Sequence, residues 1–220
     1  MRKGWRRVLV WDLPVRLFHW ITVALILTLY LTQRFDMMDW HILAGEALLA
    51  LVIFRLIWGF VGSETARFTH FIGHPIHAIR HLLHFHHREP HSGVGHNAAG
   101  GWMVVLLIAL IVLECLSGVF VNNDVANEGG WSEVVPAWLS NLISNLHLWL
   151  WEAILAAVIL HVCVVAAYAA VKRHDLVRPM VTGCKYLPED LGAPRLAPLW
   201  RAALSLVVAI GITIGIVAYL

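Results

Sequence analysis

Apolar residues fall along this chain in long blocks rather than alternating stripes, and five blocks are each long enough to cross a bilayer as one helix. They run from about Leu13 to Leu31, Ile42 to Phe60, Trp102 to Val121, Leu146 to Val171 and Trp200 to Leu220. The pattern predicts an all-α membrane protein, a four-helix bundle plus a fifth C-terminal transmembrane helix, in one domain over residues 1–220. A basic N-terminus before an apolar run also suits a cleaved signal peptide. Arg16 and His19 inside the run, its full length, and Thr32, Gln33 and Arg34 in place of a small-residue cleavage site favour a retained helix.

The polar positions between blocks orient the chain. Arg2, Lys3, Arg6 and Arg7 precede the first span, Arg67, Arg80 and Arg88 lie between the second and third, and Lys172, Arg173, Arg178, Lys185 and Arg195 follow the fourth. The segment from Asn122 to Asn145 carries Asp124, Glu128 and Glu133 and no Lys or Arg. An excess of basic residues marks the cytoplasmic side, so the N-terminus is expected inside and the C-terminus outside.

Composition adds exclusions. With 60% of 220 residues hydrophobic and 14% charged, the chain is not a soluble domain, and a formal charge of +2 split by topology points to insertion and to no nucleic-acid partner. Cys115, Cys163 and Cys184 lie too far apart for a disulfide framework, and no C-x-x-C-H exists for covalent haem attachment.

Of fourteen histidines, four fall within or at the ends of spans: His19, His41, His147 and His161. Ionisable groups at that depth usually face a bundle interior. His147 and His161 are close to four helical turns apart, so both point from one face, separated by roughly 21 Å along the axis. The predicted topology puts His19 level with His161 on the inner side and His41 level with His147 on the outer side. Two opposed imidazoles suit the axial positions of a haem iron, whereas zinc would need further ligands at each level. One such His alone would more often hydrogen-bond across helices, but two level pairs favour haem. Arg55 lies fourteen residues after His41 on the same face, where a haem propionate, a Glu or a lipid headgroup would balance it. Arg16 is a weaker candidate for the same role.

The segments Val10 to Trp20 (VWDLPVRLFHW), His41 to Gly45 (HILAG), Phe54 to Gly62 (FRLIWGFVG), Gly95 to Trp102 (GHNAAGGW), the pair His147 and His161, and Asp175 to Gly183 (DLVRPMVTG) follow one another in an order that resembles the bacterial cytochrome b561 and nickel-iron hydrogenase b-type cytochrome family. The resemblance implies two haem b groups held by His19, His41, His147 and His161 in the bacterial inner membrane. It also implies electron transfer between the quinone pool and a redox partner, such as a periplasmic c-type cytochrome or a hydrogenase or dehydrogenase subunit. A quinone site near the inner haem would fall on Asn97, beside His96, although Asn97 is equally a good helix N-cap. The chain departs from the pattern at Ala98, where Pro is frequent, and in its fifth helix, whose Gly211 and Gly215 would permit close helix contact. Superoxide oxidase-like activity and a non-redox membrane anchor are the competing functions. The acidic outer segment opposes the first, since superoxide would be steered by basic groups.

Other features stay ambiguous. His70, His74, His77, His81 and His84 recur at helical spacing, followed by His86, His87 and His91, as a polar membrane-surface helix or a metal-binding stripe. Glu46, Glu114 and Glu152 fall in or near spans without aligning into a proton relay. Trp131 and Trp138 suit interfacial anchoring, in a segment that would cover the outer haem and meet a basic partner.

Overall fold

The computed structural model describes residues 4–76, 94–121 and 135–218. Among the described residues, five helices are long and apolar enough to cross a membrane: α1 (Leu13–Arg34), α2 (Met38–Val61), α4 (Ala98–Gly118), α5 (Ala137–Val171) and α7 (Leu199–Ala218). Two short helices, α3 (Phe68–Phe71) and α6 (Val177–Thr182), lie outside the spans.

Helix starts follow local chemistry. Asp12 caps α1, its carboxylate accepting from the Val15 N–H at 2.8 Å, with Pro14 in the first turn where no N–H is needed. Asn97 caps α4, accepting from Gly100 N–H at 2.7 Å. The largest departure from the hydropathy pattern is α5, which begins at Ala137, nine residues before the apolar block. Asn141, Ser144 and Asn145 dilute its first turns, yet Ser144 Oγ and Asn145 Nδ2 bond back to the carbonyls of Ser140 and Asn141, so these side chains do not break the helix. At roughly 52 Å, α5 exceeds the bilayer core and must project beyond it.

In the bundle α2 is central, packing against α1, α4 and α7, while α4 packs on α5. Leu48, Leu49 and Val52 of α2 meet Ile108 and Ile111 of α4 and Ile154 of α5 in one core. Large apolar residues such as Leu17, Leu148 and Val207 stay exposed, as a surface facing lipid requires. Helix α7 turns Ser205, Ala209 and Thr213 inward, four residues apart. Gly211 and Gly215 face open space, so the expected glycine contact is made instead by this neighbouring stripe of small residues.

An antiparallel ribbon, absent from the all-α expectation, joins β1 (Trp5–Leu9) to β2 (Cys184–Pro188), with Val8 opposite Lys185. It rests on Gly183, which ends α6 at φ +79° and whose carbonyl accepts from the Val10 and Trp11 N–H groups. A Cβ there would sit 2.7 Å from the Trp11 carbonyl oxygen, so glycine is needed for both shape and space. The ribbon lies at the end of the bundle with Asp12, Asn97 and the start of α7, where Ala197 N–H donates to Ser63 Oγ. This is called the near end, and the end with Arg34 and Gly118 the far end.

Candidate haem-binding sites

At the near end, His19 of α1 and His161 of α5 face each other with ring centres 6.5 Å apart and planes at 54°. Imidazoles bound on opposite sides of one metal ion at about 2.0–2.1 Å per nitrogen have centres roughly 6–6.5 Å apart, so the pair is spaced for a shared iron. His19 Nδ1 is buried without a partner among the described residues, and Trp20 packs edge-on against the ring.

The same end of the bundle buries a polar cluster in an otherwise apolar core. Arg55, 3% exposed, donates through Nη2 to the Ala66 carbonyl at 3.2 Å and lies over the Phe68 and Phe18 rings. Its Nη1 is buried with no partner among the described residues, leaving donor capacity for an anion such as a propionate. Asp12 receives Trp58 Nε1–H at 3.0 Å and contributes the opposing charge near Arg55. His96 is held between Trp11 at 4.5 Å and Phe71 at 4.8 Å. Burial first, then the Arg55 and His161 charges, pushes it down to about 3, so it is neutral at physiological pH.

The far-end pair is arranged differently. His41 Nδ1 lies 3.1 Å from the Leu29 carbonyl, and His147 Nδ1 lies 3.1 Å from the Glu114 carbonyl and 2.9 Å from Ser117 Oγ. A carbonyl only accepts, so both Nδ1 atoms carry the proton, which leaves Nε2 of each ring as the nitrogen able to bind a metal. Gly118 makes room, since a Cβ would come within 3.1 Å of His147 Cε1. His147 Nε2 is 3.5 Å from Glu114 Oε1, a carboxylate that must swing aside for a metal. Among the described residues no three His, Cys, Asp or Glu converge as a zinc site would need.

The remaining candidates have other engagements. Asn97 uses its oxygen as the α4 cap and its Nδ2 to donate to Tyr168 OH at 2.7 Å, linking α4 to α5. Arg16 donates to the Val181 carbonyl at 2.6 Å, fastening α6 to α1, and its buried Nε has no partner among the described residues. His70 pairs with Glu64 at 3.7 Å, whereas His77, His81, His84, His86, His87, His91, Trp131 and the acidic residues 124, 128 and 133 lie outside the described residues. Asp12, Trp11, Phe71, Ser117 and Tyr168 escaped sequence reasoning as site residues. The only signal for Asp12 was its place beside Pro14 before a span.

A model of the prokaryotic cytochrome b561 family matches residues 10–183. Among curated proteins, the chain is 26% identical over 212 residues to a probable Ni/Fe-hydrogenase B-type cytochrome subunit of Rhizobium leguminosarum bv. viciae, covering 80% of this chain and 87% of that one. It is also 26% identical over 219 residues to the protein of that description from Azotobacter chroococcum, covering 83% and 90%. No solved structure gives a significant match. From the first apolar span to the strand after the fourth, the chain belongs to the prokaryotic cytochrome b561 family, and with five apolar helices it is a multi-pass membrane electron-transfer protein that carries haem b.

Proposed function

We propose that the protein is a dihaem cytochrome b, in which His19 and His161 would hold one haem iron at the near end and His41 and His147 the other at the far end. The observation that carries this reading is the 6.5 Å separation of the His19 and His161 rings. When bound, haem supplies one-electron chemistry that no side chain of the chain provides. The chain's residues position and tune it. His41 and His147 hold their rings through Nδ1–H bonds to backbone carbonyls, and Arg55 and Arg16 offer unpartnered guanidinium nitrogens to propionates.

The near end is read as cytoplasmic from its Lys and Arg content, in a bacterial inner membrane. Quinone is assigned to the near end, where the Asn97 amide and Tyr168 hydroxyl form a polar pair and neutral His96 can exchange hydrogen bonds. The redox partner belongs at the far end, and the relatives described as hydrogenase cytochrome subunits support a hydrogenase-type protein there. In anaerobic native membranes, hydrogen gas is expected to reduce the b-type haem and a short-chain oxidised quinone to reoxidise it. Silence toward hydrogen with normal reduction by quinol would move the partner to a c-type cytochrome or another dehydrogenase. Silence toward both would reject the quinone-linked function.

A further inference from the structure

Where the ribbon meets α6, a cavity of about 250 Å³ is lined by Arg7, Arg178, Lys185, Asp175 and Tyr186 among others. Three cations face one carboxylate, and that carboxylate is turned to its own backbone. Asp175 Oδ1 accepts from the N–H groups of Val177 at 3.0 Å and Arg178 at 2.9 Å, capping the start of α6. Two guanidinium groups and an ammonium around one cavity suit a phosphate, which accepts several hydrogen bonds and carries the opposing charge. None of these side chains belongs to the haem sites.

The cavity's position identifies the kind of phosphate. Helix α6 is fastened to the first turns of α1 by the Arg16 bond to Val181 and by Trp20 Nε1–H donating to the Met180 carbonyl at 3.3 Å. It therefore sits at the mouth of a membrane span, at headgroup depth. One turn apart on the same helix, Val177 and Val181 are 51% and 55% exposed. Cations beside exposed apolar residues at this level match an anion that carries acyl chains. We propose that Arg7, Arg178 and Lys185 bind the phosphate of an anionic phospholipid headgroup at the near end of the bundle.

Burial pushes Lys185 down to about 8, and His174 is also lowered, by burial first and then by Lys185 and Lys172. Of the three cations, Lys185 is the one whose charge changes between pH 7 and 9, with Asp175, Cys184 and Tyr186 completing its surroundings. Affinity for an anion should therefore fall over that range.

The test uses the haem-loaded full chain in detergent, titrated with cardiolipin, phosphatidylglycerol, phosphatidylcholine, inorganic phosphate or pyrophosphate, and read by native mass spectrometry. Anionic lipids should bind roughly tenfold or more tightly than phosphatidylcholine. That preference should vanish in Arg178→Gln/Lys185→Gln with the b-type spectrum unchanged, while Lys185→Arg should keep it and flatten its pH dependence. Equal binding of phosphatidylcholine, or a double variant that binds like the wild type, would overturn the site. Inorganic phosphate or pyrophosphate binding as tightly as the lipids would overturn the lipid assignment.

Discussion

The two ends of the bundle hold their histidines by opposite means. At the far end, backbone carbonyls of Leu29 and Glu114 fix the imidazoles, and the Glu114 side chain lies 3.5 Å from His147 Nε2. At the near end His19 Nδ1 has no partner among the described residues, and that end also buries the Arg55 guanidinium, with Asp12 as an opposing charge. An Nδ1–H bond to a carbonyl makes an imidazole a stronger donor and, with a nearby anion, favours oxidised iron; a nearby cation favours reduced iron. On the proposed dihaem reading, the two pairs would sit in different environments, and electrons would run downhill from far end to near end.

The largest expected effect comes from removing the near-end carboxylate. Asp12→Ala should cost about 3 kcal/mol, because it strands Trp58 Nε1–H and Arg55 in an apolar core. Ser117→Ala at the far end removes only neutral hydrogen bonds, to the Glu114 carbonyl and His147 Nδ1, and should cost about 1 kcal/mol. Thermal unfolding of both variants in detergent measures the contrast, and equal losses would erase it.

Acid should weaken the near end next. The folded value of His96 is about 3, below its ordinary 6.5, so between those values the unfolded chain binds more protons. Its contribution to stability is complete above pH 6.5 and is lost as pH falls toward 3, with a slope of at most about 1.4 kcal/mol per pH unit. His96→Leu should remove this slope, as thermal midpoints between pH 7 and 4.5 would reveal; an unaltered slope would place its origin elsewhere.

The electrostatic contrast itself is tested by redox titration. Near-end haem should have the higher potential, with Arg55→Leu lowering it by on the order of 60 mV, a tenfold change for one electron. Identical potentials that Arg55→Leu does not move would remove the argument for direction.

Much of this arrangement is legible in the amino-acid sequence because membrane spans are written in hydropathy and buried histidines are rare within them. Depth and alternating topology alone level His19 with His161, and the structure brings those rings together. The start of α5 is less legible, since Asn141, Ser144 and Asn145 look like loop residues until their side chains find carbonyls one turn back. The β1–β2 ribbon joins segments about 180 residues apart, a pairing that no local pattern contains. Asn97 was legible as a cap, but its bond to Tyr168 depends on how α4 and α5 pack.

The most direct test of the account is haem content by pyridine haemochrome in the wild type, His161→Ala and His147→Ala. Two haems per chain should fall to one in each variant, the higher-potential haem surviving in His147→Ala and the lower-potential one in His161→Ala. A single haem in the wild type, or two haems retained in either variant, would contradict two bis-histidine sites at opposite ends of the bundle.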